Sequence, residues 1–550
     1  MIPKYLKINF LVNFFNLHDH YVNIGGMSNT DINIDNLPDD INKLKEIIHH
    51  YQTDMSNLKS DIIRLNETIK IYQFKLFGRK SEKLPKEENP GLFNESEMEE
   101  NEIGSKQPAE KIRITYERLK KPGRRPLPSD LPRVEKEIDL SESEKASLQK
   151  EGKLVKIGEE TSEKLEIIPQ QIYVLKYKRF KYVYTKNGTN ESQIITPKLP
   201  EQLIPQGIAT PSSSAFVITS KFVDGIPYHR QEKIYSRCGI DLSRKTMCNW
   251  QIYIYHNYLV RLIDLMKRDL RKSYLIGADE TEVQVIIEEG KTPESKSYMW
   301  VYRGYDEYRK ILLFDYKPDR KGINPKEYLD GYEGYLQTDG YDGYNLTVKN
   351  QNIIHLACWA HVRRKFFNCF KALDKNNYPE SKIILDMINE LYAVERECKE
   401  NKFSYYEIIK KRREKSVPLI ESIRAWLDAN VDKYPPKCDM GEAINYTLNL
   451  WSLLIIYVKD GRLPIDNNLV ENAIRPFVIG RKNWQFSYTA NGAQSSAALY
   501  SLIETAKANG KEPYKYLKEL FEKLPTAKTD EDYEKLLPYY EQNLFSDHMG

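Results

Sequence analysis

Three acidic residues stand out by where they fall. Asp279 closes an apolar run in Ser273 to Val285 (SYLIGADETEVQV), Asp339 closes another in Gly334 to Tyr344 (GYLQTDGYDGY), and Glu471 lies within Ile465 to Trp484 (IDNNLVENAIRPFVIGRKNW). Short apolar runs bounded by turn residues read as buried strands, which leaves each aspartate exposed at a strand end. In the third stretch Asp466, Asn467 and Asn468 read as a helix N-terminus, because short polar side chains accept bonds from the free backbone N–H groups there. Leu469, Ala473 and Ile474 give that helix an apolar face; Glu471 and Arg475 share another and can pair. Pro476 reads as a stop or kink. Two aspartates and a glutamate form a carboxylate set able to hold two divalent ions for attack on a phosphodiester. Arg475, Arg481 and Lys482 would screen or position phosphates, and Trp484 would stack on an unpaired base. Taken alone, the third stretch is equally well read as a capped surface helix with an i,i+4 ion pair.

The ordered motifs ADET, QTDGYDGY, CWAHVRRKF, DNNLVENAIRPFVIGRKNW and YSLIETAKANG resemble the insertion-sequence 66 family of transposases, of the Asp-Asp-Glu class. They span roughly the last half of the chain. The resemblance implies that Asp279, Asp339 and Glu471 are the catalytic acids and ligands of Mg2+ or Mn2+, two ions per active site. It also implies strand transfer into target DNA and accessory proteins encoded by the same element. Glu280 and Asp342 are neighbouring decoys, and Asp466 rivals Glu471 but reads as a cap.

These acids need a scaffold. Strands at Leu275 to Ala278, Tyr298 to Tyr302, Ile311 to Tyr316, Tyr335 to Thr338 and Ile353 to Ala357, with helices around Lys326 to Asp330 and near Tyr341, give the order βββαβαβ. That is the ribonuclease-H-like order, which puts Asp279 and Asp339 side by side at the sheet centre. The expected fold class is therefore multidomain α/β: a ribonuclease-H-like mixed sheet over 271–510 with a helical insertion at about 371–459. The region 511–550 closes it with helix and tail. Cys358 and His361 form a CxxH pair on the helix after the last strand; two ligands alone favour a structural or DNA-facing role over a metal site. Arg363, Arg364 and Lys365 follow on that helix as phosphate contacts.

Upstream, residues 201–260 read as helix, Gly-containing turn and a second helix opened by Ser243, the helix-turn-helix pattern, with Arg244, Lys245, Asn249 and Gln251 as base readers. A helical hairpin packed on the catalytic domain is the alternative. Residues 134–200 read as a small β module with a strand-like run from Gln171 to Thr185. It is similar to the family's zinc-binding module, but Tyr184 and Asn187 stand where a CxxC pair would align, so no structural zinc is expected. Residues 78–133 read as a flexible linker that begins in the basic stretch FGRKSEKL (Phe77 to Leu84) and includes the basic Lys120 to Pro128 (KKPGRRPLP). Residues 1–40 read as leader, with Met1 and Met27 both candidate starts. From 41 to 77 apolar residues keep a heptad: Ile41, Ile48, Met55, Ile62, Ile69 and Leu76 at one seam position, Leu44, Tyr51, Leu58, Leu65 and Tyr72 at the other. A coiled coil joining two or more copies is expected, against a single amphipathic helix lying on a domain.

Composition bounds the rest. The 550 residues exceed one core's usual span, and 83 basic against 79 acidic residues leave a net charge of only +4, so any basic DNA-binding surface must be local. Six scattered cysteines fit a reducing cytoplasm, and no apolar run approaches the roughly 20 residues that span a membrane. The expected partner is DNA, both terminal repeats and target. A nuclease that cuts without joining, or a decayed DNA-binding regulator, would share most of these features.

Overall fold

The computed structural model describes residues 139–152, 171–185, 192–306, 309–349, 352–371 and 380–540, with Arg133 and isolated positions between 42 and 69. The leader, most of the heptad segment, FGRKSEKL, Lys120 to Pro128 and the last ten residues lie outside the described residues. The chain forms a mixed α/β protein of two compact units, residues 81–198 and the remainder. Among the described residues no helix is long and apolar enough to cross a membrane, and all six cysteines are free.

In the smaller unit, helix α1 (Glu142–Glu151) precedes a hairpin of β1 (Tyr182–Thr185) and β2 (Ser192–Ile195), paired antiparallel. Only the end of the expected Gln171 to Thr185 strand is a strand; residues 171–181 are exposed and irregular.

From Leu199 on, the larger unit continues with α2 (Pro211–Phe222), α3 (Tyr228–Arg237) and α4 (Arg244–Ile254), the last capped by Ser243, whose hydroxyl accepts the Thr246 N–H. α4 does not stop at residue 255. It runs through a π-helical turn at Tyr255–Leu259 into α5 (Val260–Leu270). The sheet follows: β3 (Leu275–Ile287), β4 (Lys296–Tyr305), β5 (Ile311–Lys317), α6 (Ile323–Tyr328), β6 (Gly334–Thr338), α7 (Asn345–Val348), β7 (Ile353–Ala357) and α8 (Trp359–Lys371). Its order is β5-β4-β3-β6-β7; β3, β4 and β5 are antiparallel neighbours, while β6 and β7 run parallel to β3. From α8 to Lys459 the described chain is mostly helical, with α9 (Glu380–Glu400), α10 (Tyr405–Lys411), α11 (Val417–Asn430), α12 (Asp439–Asn449) and α13 (Trp451–Leu454). Then come α14 (Asn468–Trp484), β8 (Phe486–Thr489), α15 (Ala490–Ala508), α16 (Pro513–Lys523) and α17 (Asp530–Glu534). β8, which the sequence did not announce, pairs parallel with the outer end of β3.

The free edge of β5 is covered by a helix whose side chains replace a strand. Ser501 accepts the Phe314 N–H at 2.8 Å, Thr505 accepts the Leu312 N–H at 3.0 Å and returns a bond to its carbonyl at 2.9 Å, and Asn509 donates to the Lys310 carbonyl at 2.8 Å. One helical turn on α15 matches two residues on the strand, so the YSLIETAKANG motif reads as edge protection. Thr505→Val keeps the shape, removes both bonds and leaves buried backbone groups unsatisfied. A loss of about 1–3 kcal/mol is expected in chemical denaturation; an unchanged midpoint would contradict it.

Candidate active site

Asp279 and Asp339 are brought together by strand register. Gly277 of β3 lies opposite Gln337 of β6 in the parallel pair, so two residues on, Asp279 and Asp339 leave adjacent strands on the same side. Asp279 Oδ1 accepts the Glu280 N–H at 2.8 Å, and Asp339 Oδ1 accepts the Tyr341 N–H at 2.9 Å. Asp339 is fixed further from its own carbonyl, to which the Tyr446 hydroxyl of α12 donates.

Glu471 arrives in the first turn of α14, and four bonds fix that helix start. Gln337 donates to the Pro464 carbonyl at 3.0 Å, the Trp359 N–H to the Ile465 carbonyl at 3.2 Å, the Asn467 N–H to Cys358 Sγ at 3.2 Å, and the Asn467 amide to the Ala278 carbonyl at 3.0 Å. Asn467 thus ties α14 to the residue before Asp279. Gly277 makes this approach possible, since a Cβ there would run into Val470 and Asn467. The N-cap of the helix is Asn467; Asp466, one residue ahead of it, accepts the Asn468 N–H at 3.1 Å. Pro476 neither stops the helix nor ends it, because α14 continues to Trp484; Asn472, whose carbonyl loses its partner to the proline, faces solvent.

Burial and mutual repulsion dominate the electrostatics of the carboxylate cluster. The Asp279 carboxyl is pushed well above the usual range, first by burial, then by the charges of Glu280, Asp339 and Glu471. Glu280 is raised as well, by burial and by Asp339, yet its oxygens are committed: Arg320 Nε donates to it at 2.7 Å and the Tyr344 hydroxyl at 2.8 Å. That commitment fits the decoy reading. Arg320 in turn lies 3.8 Å over the Tyr341 ring. His355, pushed down to about 4 by burial, bonds Thr338 at 2.8 Å beneath Asp339. Hard carboxylate oxygens from Asp279, Asp339 and Glu471 fit Mg2+ or Mn2+. Because a raised carboxyl stabilises the fold when protonated and loses that contribution as pH rises through its folded value, Asp279→Asn is expected to raise the melting temperature of divalent-free protein at neutral pH. A lowered melting temperature would contradict it.

Packing corrects two of the expected contacts, Arg363 and Gln251. Arg363 is 2% exposed and donates to Asn389 at 2.8 Å, so it cannot grip DNA. Arg364 donates to Glu471 Oε2 at 2.7 Å, and Lys365 lies 4.6 Å over the Tyr446 ring. On α4, Arg244, Lys245 and Asn249 are exposed together. Gln251 is 1% exposed and bonds Tyr228 and Ser495; it sits on the inner face with Met247, Trp250 and Ile254 and is no base reader. Arg481 donates to Thr281 at 3.3 Å, Lys482 is exposed, and Arg475 is half-buried. Trp484 is half-buried and packs edge-on to Phe477 at 5.5 Å. Arg320, Tyr344, Tyr446 and Asn467 were not singled out for the site; Tyr344 and Asn467 lie inside quoted motifs, while Arg320 and Tyr446 carry no local signal.

Comparison with known proteins covers most of the chain. Residues 206–495 match the model described as "Transposase IS66 family", 501–539 the "IS66 C-terminal element", 64–135 "Transposase C of IS166 homeodomain" and 150–186 the "zinc-finger binding domain of transposase IS66". Among the relatives, the uncharacterized protein y4qI of Sinorhizobium fredii (strain NBRC 101917 / NGR234) is 30% identical over 439 residues, 76% of this chain and 78% of its own. The uncharacterized protein y4jD of the same strain is 28% identical over 436 residues, 77% and 82% of the two chains. The match at 150–186 corrects the expectation of no structural zinc, since it is a finding for zinc binding in this region. That span contains neither cysteine nor histidine, so the usual donor set does not fit within it, and no step below passes through zinc.

Proposed function

Because the chain belongs to the insertion-sequence 66 family of transposases, we propose that it binds the terminal repeats of its element and that Asp279, Asp339 and Glu471 hold two Mg2+ or Mn2+ ions for DNA cleavage and strand transfer. The carrying observation is the placement of three acids by neighbouring elements: Asp279 on β3 and Asp339 just past β6, adjacent parallel strands in register, and Glu471 in the first turn of α14, whose start Asn467 ties to the Ala278 carbonyl. The sheet order and the placement of two acids on its adjacent central strands support a ribonuclease-H-like catalytic domain.

When bound, the ions supply activation of the attacking oxygen and stabilisation of the leaving oxygen. Asp279 and Asp339, fixed by their backbone bonds, present oxygens from adjacent strands; Glu471 closes the set once Arg364 releases Oε2. Arg364, Arg481 and Lys482 then face phosphate charge. No side chain acts as nucleophile, so no covalent protein–DNA intermediate forms. The exposed trio Arg244, Lys245 and Asn249 on α4 reads the terminal repeat from the second helix of a helix-turn-helix. Leu58, Ile62, Leu65 and Ile69 are each helical and about half exposed in the single chain; this apolar seam would pair copies through a coiled coil, as a reaction at two DNA ends requires.

The test is incubation of the purified protein with labelled duplex carrying the element end, with Mg2+, with Ca2+ and with no divalent ion. A Mg2+-dependent cut at the junction is expected. Specific binding without cutting, with the element's accessory proteins supplied, would favour a DNA-binding regulator.

A further inference from the structure

Beside the carboxylate cluster lies a donor set of softer chemistry. Cys358 stands between β7 and α8, His361 is in the first turn of α8, and Glu471 is in the first turn of α14. One donor atom from each, a thiol sulfur, an imidazole nitrogen and a carboxylate oxygen, lies within 4.8 Å of the other two. His361 Nδ1 and Glu471 Oε1 are 3.6 Å apart, and both are buried atoms with no hydrogen-bond partner. Buried polar atoms are ordinarily paired, and this separation is too long to count as a hydrogen bond. Arg364 holds the other carboxylate oxygen, which leaves Oε1 toward the imidazole.

We propose that Cys358, His361 and Glu471 form a binding site for a borderline-soft divalent transition ion of the Zn2+ class. Thiolate, imidazole and carboxylate are the donors such an ion prefers, and three protein ligands leave a fourth position open. Around a tetrahedral ion with bonds of roughly 2.0–2.3 Å, donors stand about 3.3–3.8 Å apart. The nitrogen–oxygen pair already meets this, and the widest separation in the set needs to close by about 1 Å, within reach of small side-chain rotations. Binding replaces the proton on Cys358 Sγ, which passes to solvent. The site stands on donor geometry alone. Its consequence rests on the reading above: a soft ion held by Glu471 Oε1 withdraws that carboxylate from the hard-cation pair, so the two cation types compete for one residue.

The experiment titrates chelator-treated full-length protein with Co2+ and follows absorbance. Wild type is expected to develop a thiolate-to-cobalt charge-transfer band saturating at one equivalent. Cys358→Ser, whose hydroxyl can still accept the Asn467 N–H, loses that band. His361→Gln leaves the buried cysteine in place and weakens cobalt binding roughly tenfold or more, which keeps the test decisive if the first variant misfolds. A wild type without the band, or a band of equal strength in Cys358→Ser, overturns the site. In Mg2+-supported cleavage, added Zn2+ is expected to inhibit wild type, with the ratio of inhibited to uninhibited rate recovering in Cys358→Ser; a cobalt site without Zn2+ inhibition overturns the competition. If wild type does not cleave with Mg2+ at all, the triad reading fails, and the cobalt spectrum still decides the site.

Discussion

Asp339→Asn is expected to lower Mg2+-supported cleavage of element-end DNA on the order of a thousandfold while DNA binding is retained. A metal's Lewis-acid contribution of several kcal/mol converts to rate at about 1.4 kcal/mol per tenfold. The substitution isolates charge from shape. Asparagine keeps an oxygen that can accept the Tyr341 N–H, and the Tyr446 hydroxyl bonds the backbone carbonyl, which the substitution leaves alone. Single-turnover cleavage alongside gel-shift binding checks it, and a variant cutting within about tenfold of wild type would remove Asp339 from the metal set.

The second large effect concerns a residue that touches no substrate. Gly277→Ala places a methyl where Val470 and the Asn467 side chain lie, with the Tyr305 ring 3.3 Å away on another side. To make room, α14 must move off β3 and the Asn467 to Ala278 bond must lengthen or break. Overpacking of this kind costs about 1–3 kcal/mol. The larger consequence falls on Glu471: a displacement of about 1 Å in a positioned group can lower the rate on the order of a hundredfold. Thermal melting and cleavage kinetics are read together. Lost activity with a modest fall in melting temperature supports the positioning role, and full activity would show that the α14 start is not what sets Glu471.

How much of this was legible in the sequence follows from which interactions are local. The five core strands and the Ser243 cap announce themselves through apolar runs and a capping side chain, signals carried within a few residues. Asp339 was legible for the same reason, as the polar residue that follows the apolar strand β6; Asp279 was legible by type alone, because β3 does not end at Ala278 but runs on to Ile287 and keeps Asp279 inside the strand. The register that sets them side by side is long-range but follows from the parallel β3–β6 pairing. Pro476 misled, because what holds α14 together past it is packing: Phe477 is fully buried against Phe314 and Tyr500, and Gly480 is buried beside Tyr500. Arg363 and Gln251 misled because residue type says polar and periodicity alone did not say which face is buried. β8 is short, exposed and set right after a left-handed residue, Gln485 at φ 66, so no apolar period marks it. The third donor of the Cys358–His361 pair lies 110 positions beyond His361, at a distance no spacing rule reaches.

The most direct measurement is strand transfer in vitro: full-length protein, a labelled duplex ending in the element's terminal repeat with a free 3′-OH, a supercoiled target and Mg2+, with Glu471→Gln and Asp466→Asn in parallel. Joined products from wild type and Asp466→Asn, lost in Glu471→Gln, are the predicted result. Cleavage without joining in wild type would make the chain a nuclease, and full joining by Glu471→Gln with loss in Asp466→Asn would contradict the assignment of the third acid.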